Sequence, residues 1–66
     1  MTLIVNGSPR PLPEGESVAD LITDLGLDGK RVAVELNREI VLQEHFTTTS
    51  LKDGDSLEIV QFVGGG

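Results

Sequence analysis

The chain contains no cysteine, tryptophan or tyrosine, and its only aromatic residues are Phe46 and Phe62. Without cysteine no disulfide can staple the fold, and the absence fits a reducing compartment. A single histidine, His45, is too little for a structural zinc site. Asp53-Gly54-Asp55 supplies too few carboxylates, with no glutamate at the required spacing, for a calcium loop; a turn is the better reading. Basic residues are also scarce, 5 against 11 acidic ones, for a net charge of −6. A phosphate backbone needs a basic stripe, so nucleic acid is excluded as a partner. No long apolar run exists. The opening Met1-Thr-Leu-Ile-Val5 lacks a basic flank and is too short for a signal peptide or a membrane span. The expected location is the cytoplasm, with no membrane contact.

Length imposes the next limit. Sixty-six residues suffice for one domain. A domain of that size buries only about 60% of its unfolded surface. A drug-sized pocket of ~300 Å³ or more is hard to fit inside it, which argues against a self-contained enzyme. The acidic residues are dispersed from Glu14 to Glu58. They serve solubility and can steer the chain towards a basic partner.

What the chain does have is punctuation and periodicity. Residues 2–6 form a branched, strand-like run closed by Asn6-Gly7, a tight-turn signal. A second strand is expected around Arg10 to Leu12, at a sheet edge because Pro9, Pro11 and Pro13 cannot donate ladder hydrogen bonds. Ser17 with Asp20 makes a capping-box pair opening a helix. Val18, Leu21, Ile22 and Leu25 then line one helical face, and Gly26 is placed to end it. Two turns of helix are unstable alone in water, so this face must lie on a sheet. Arg31 to Asn37 alternates as a half-buried strand, and Ile40-Val41-Leu42 reads as a short fourth strand. Residues 43–50 read as irregular or short helical, Leu51 returns to the core, and Ser56 to Val63 forms the last strand.

This order of elements, with right-handed crossovers and one helix to cover one face, leaves few topologies. The expected fold is α+β: a β-grasp (ubiquitin-like) domain, with a mixed four- to five-stranded sheet and one main helix packed across one face. The first and last strands are expected to be central and parallel. The single domain spans residues 1–63, followed by a flexible glycine tail over 64–66. The expected core is Leu3, Val5, Val18, Leu21, Ile22, Leu25, Val32, Val34, Leu36, Phe46, Leu51, Leu57 and Ile59. Alternation along the last strand turns Glu58, Val60 and Phe62 to the opposite face, beside Ala33 and Ile4 on neighbouring strands. An apolar patch leading to the tail suggests a surface for docking a partner. Glu35 and Glu58 also face outwards and could pair with basic groups of that partner.

The tail itself is Gly64-Gly65-Gly66. With glycine at about 7% of average usage, three in a row at a given place arise by chance about three or four times in ten thousand. Lacking Cβ atoms, such an arm can thread a channel too narrow for side chains and leaves a carboxylate unshielded. That chemistry points to a protein that is itself a substrate.

Three segments carry a resemblance to a known family: Val32-Ala-Val-Glu-Leu-Asn-Arg-Glu-Ile-Val41, Leu51-Lys-Asp-Gly-Asp55 and Glu58-Ile-Val-Gln-Phe-Val-Gly-Gly-Gly66. The chain resembles the bacterial sulfur carriers of thiamine biosynthesis (ThiS type), small ubiquitin-like proteins. The family's essential Gly-Gly maps onto Gly65 and Gly66, with Gly64 additional. The resemblance implies a carrier rather than an enzyme, with no cofactor of its own. It implies a ubiquitin-activating-like adenylyltransferase that uses Mg-ATP to adenylate the Gly66 carboxylate. A persulfide sulfur donor would then convert it to a thiocarboxylate, and thiazole synthase would consume the sulfur. Gly64 and Gly65 would thread the tail into partner sites. Molybdopterin-synthase carriers and ubiquitin-like modifiers share this terminus and stand as the alternatives.

Overall fold

The computed structural model describes residues 1–63. Its strands are β1 (Thr2–Val5), β2 (Ser8–Pro11), β3 (Val32–Leu36), β4 (Glu39–Val41) and β5 (Ser56–Gln61), with one helix, α1 (Val18–Asp24). They form one sheet in the order β2-β1-β5-β3-β4. β1 and β5 are parallel and every other pairing is antiparallel. This is the expected β-grasp, with five strands.

Two hairpin corners set the register. Asn6 and Gly7 hold φ of 50° and 82°, and Asn37 and Arg38 hold 50° and 71°. Paired left-handed residues are the signature of two-residue turns that match strand twist. The first corner places Val5 opposite Ser8, so β2 starts there and not at Arg10. The second places Leu36 opposite Glu39, so β4 is Glu39–Val41 and not Ile40–Leu42. β5 ends at Gln61, two residues before the expected Val63. In β2 the prolines fall opposite Ile4 and Thr2, while Leu12 N–H donates to Met1 O (2.9 Å). Pro9 and Pro11 therefore sit where an antiparallel ladder turns its N–H groups away from the partner strand. Their rings blunt the open edge of the sheet.

The seven-residue α1 survives because its terminal backbone groups have partners. Asp20 N–H donates to Ser17 Oγ (3.2 Å) and Ser17 N–H donates to Asp20 Oδ2 (2.8 Å), completing the capping box. Val18 N–H donates to Thr49 O and Ala19 N–H to Phe46 O, so the 46–51 loop closes the helix start. At the other end Gly26 (φ 74°) donates to Thr23 O and Leu27 to Ile22 O, the paired bonds of a Schellman stop. Val18, Leu21 and Ile22 are buried against Leu3, Val34, Leu57 and Ile59 of the sheet.

Eleven of the thirteen expected core residues are buried; Leu25 and Leu36 flank the core half-buried. Leu12 joins the core instead, because the β1–β2 register carries it one step past the strand end. A short 3-10 turn at Gly29–Arg31, capped by Asp28, precedes the alternating run and takes its first residue, so β3 starts at Val32 and not at Arg31. Another at Gln43–His45 fits the expected short helical stretch and delivers Phe46 to the core.

Candidate docking face

The sheet face away from α1 is built by the alternation that builds the core. Leu57 and Ile59 point inward, so Ser56, Glu58 and Val60 point outward. The β3–β5 register sets Ala33 opposite Val60 and Glu35 opposite Glu58, and β4 sets Ile40 opposite Glu35. Val60 is 59% exposed and Phe62 55%. Phe62 lies just past β5, and its N–H donates to Arg31 O (2.7 Å), which keeps the chain extended. A shallow hollow of about 140 Å³ runs between Ala33, Ile40 and Val60, with Glu35 and Glu58 along it. Beyond the two glutamates an open groove of about 540 Å³ reaches Asn37, Arg38 and Ser56.

The sequence-expected residues separate here. Val60, Ala33 and Phe62 follow one another towards the end of β5. Ile4 shares the face but pairs with Ser56, four residues back along β5, or ~13 Å at strand rise. Glu58 lies between them along the strand. Ile40 was missed. It is 75% exposed and takes the place beside Val60 that Ile4 was expected to share. The signal was present in the sequence: once Asn37-Arg38 is read as a two-residue turn, Ile40 must face the same way as Glu35. Gly64, Gly65 and Gly66 lie outside the described residues.

Glu35 and Glu58 are direct cross-strand partners and both exposed. Like charges so placed oppose pairing. Among the described residues no cluster of histidine, cysteine, aspartate and glutamate could hold a metal ion, and no helix is long and apolar enough to cross a membrane. The face offers contact area and negative charge.

The ThiS family model matches residues 3–66. The chain belongs to the ThiS family. It is 40% identical to the sulfur carrier protein ThiS of Thermus thermophilus over 62 residues, 94% of this chain and 95% of that one. It is 44% identical over its full length to a thiazole synthase of Paramagnetospirillum magneticum, but spans only 20% of that protein. The crystal structure of ThiS from Geobacter metallireducens superposes with a TM-score of 0.84 at 40% identity, covering both chains completely. The family and the β-grasp expected from sequence are thus both met. With them comes the role of this domain: a sulfur carrier of thiamine biosynthesis.

Proposed function

We propose that the ThiS-type chain carries sulfur as a thiocarboxylate on Gly66, and that Val60, Phe62, Ala33 and Ile40 dock it on the partners that load and unload it. The observation carrying this reading is the family match, which runs through the Gly-Gly-Gly segment. A carboxylate is a poor electrophile because oxide is a poor leaving group. In the proposed route an adenylyltransferase holding Mg-ATP joins the Gly66 carboxylate to AMP and releases pyrophosphate. A persulfide sulfur attacks the acyl carbon and AMP leaves; a second thiol reduces the acyl disulfide and frees the thiocarboxylate. Glycine adds no steric barrier to the tetrahedral intermediate. Three glycines span at most ~10–11 Å, enough to enter a closed site. The folded domain supplies positioning, which makes a scarce sulfur locally concentrated. Thiazole synthase is the proposed acceptor; relatives bearing that name contain a domain like this one. Glu35 and Glu58 are proposed to meet basic groups of the partners, which would relieve their mutual repulsion. The proposed setting is the cytoplasm, since activation consumes ATP.

The test is intact mass after incubation with the adenylyltransferase, Mg-ATP and a persulfide donor. The expected product differs by exchange of one oxygen for sulfur. A chain lacking Gly65 and Gly66 should keep its circular dichroism spectrum and melting temperature and gain no sulfur. Sulfur gain by the truncated chain, or adducts on lysines of other proteins, would overturn the proposal.

A further inference from the structure

The parallel β1–β5 ladder ends in an unusual way. Ile4 N–H donates to Asp55 O and Asn6 N–H to Leu57 O (both 2.9 Å), after which β1 turns away at Asn6-Gly7. The Asn6 side chain then supplies one more rung. Its Nδ2 donates to Ile59 O (3.1 Å), and Ile59 N–H donates to its Oδ1 (2.7 Å). A carboxamide has the donor and acceptor of a peptide group, so Asn6 stands in for the strand residue that is no longer there.

One rung further, no group among the described residues takes its place. Phe62 N–H donates to Arg31 O and Asn37 N–H to Ser56 O, so the even residues of β5 turn their backbone groups to β3. The odd ones turn to the β1 side: Asp55, Leu57, Ile59 and then Gln61. Gln61 is exposed and its backbone groups face a side that β1 has left. The segment is held extended from the β3 side, so that edge is preformed. Beside it lies a groove of about 280 Å³ whose lining includes Val5, Asn6, Arg10, Leu25, Leu27 and Ile59. Unlike β2, whose edge carries Pro9 and Pro11, this edge has no proline.

We propose that the Gln61 edge of β5 is a strand-addition site: an extended segment of thiazole synthase pairs with the Gln61 backbone, next to Asn6, and sets an apolar side chain in the Val5–Leu25–Leu27–Ile59 groove. Backbone pairing of this kind gives affinity, and the pocket for alternate side chains gives specificity. The occupant follows from continuity. The edge lies three residues before Gly64, so whatever receives the tail must pass this edge. In relatives named thiazole synthase this domain is part of the same chain. The inference rests on the proposed acceptor and adds where and how that acceptor grips.

Amide hydrogen exchange tests it on the full chain, free and mixed with thiazole synthase. In the free chain the Gln61 amide should exchange fast while those of Val60 and Phe62 are protected. In the complex the Gln61 amide should become protected. Gln61→Pro, which removes an N–H that has no partner among the described residues at an extended position, should keep the melting temperature and bind roughly tenfold more weakly. Gln61→Ala, which keeps the backbone donor, should bind as the unaltered chain does. Complex formation with the Gln61 amide still exchanging fast would overturn the strand-addition site alone, and so would undiminished binding of Gln61→Pro. Failure of the unaltered chain to bind thiazole synthase would instead remove the proposed acceptor, and the site with it.

Discussion

Two carboxylates at the start of α1, Glu16 before the N-cap and Asp20 in the first turn, behave oppositely, and the reason lies in single hydrogen bonds. Asp20 accepts from the Ser17 N–H, then from Glu16 and the Ser17 hydroxyl, which holds its carboxyl below the usual range. Glu16 is raised, first by its hydrogen bond with Asp20, then by lost hydration, then by the charges of Asp20 and Asp24. A depressed carboxyl contributes stability above its unfolded pKa that is lost as pH falls through the folded value. A raised one does the reverse: the fold loses stability as pH climbs from the unfolded to the folded value of Glu16, and stays lower above it. Glu16→Gln should therefore melt higher than the unaltered chain at neutral pH, with the gap closing below the carboxylate range. A gap of constant size from acid to neutral pH would contradict this. On the docking face, Val60→Asp and Phe62→Asp should weaken partner binding and leave melting nearly unchanged, because both side chains are more than half exposed. A large drop in melting temperature would show that they support the fold. The outward setting of Val60 was legible from period-two alternation. The displacement of Ile4 along the strand was not, since alternation assigns a face but no register.

At the scale of elements, α1 was the most legible. Ser17, Asp20 and Gly26 are start and stop signals within a few residues, and they act through local bonds. Ser17→Ala removes the Oγ acceptor of the Asp20 N–H and should cost about 1 kcal/mol. That lowers melting by ~4–8 °C for a domain of this size, measurable by thermal denaturation; an unchanged midpoint would mean the loop carbonyls of Phe46 and Thr49 alone hold the helix start. The strand ends were less legible. Val63 and Leu42 look like strand residues, but a strand ends where its partner does. β5 stops with the last β3 pairing at Gln61 opposite Val32, and β4 is fixed by a turn that two left-handed residues make. Arg38 in such a position contradicts its own preference, so no turn signal in the sequence marks the two-residue corner that turns Ile40 to the docking face.

For the whole molecule, the surplus of acid is the property that acts at a distance. A net charge of −6 on 66 residues should speed encounter with a basic partner face. The association rate with the adenylyltransferase should fall as salt rises past ~0.1 M, where the Debye length is about 10 Å, while the dissociation rate changes little. Stopped-flow rates across a salt series measure this, and a salt-independent association rate would assign the charge to solubility alone.

Composition and local pattern by themselves determined the fold class, the helix and its caps, and nearly all of the core, because each follows from neighbours a few residues apart. The glycine run and the three family-like segments were likewise written in the chain. The register of β1 against β5, the grouping of Ala33, Ile40 and Val60, the facing glutamates and the open edge at Gln61 were decided only in three dimensions. They depend on the register between segments as far as 53 residues apart, and register is set by turns and packing that no short stretch of sequence contains.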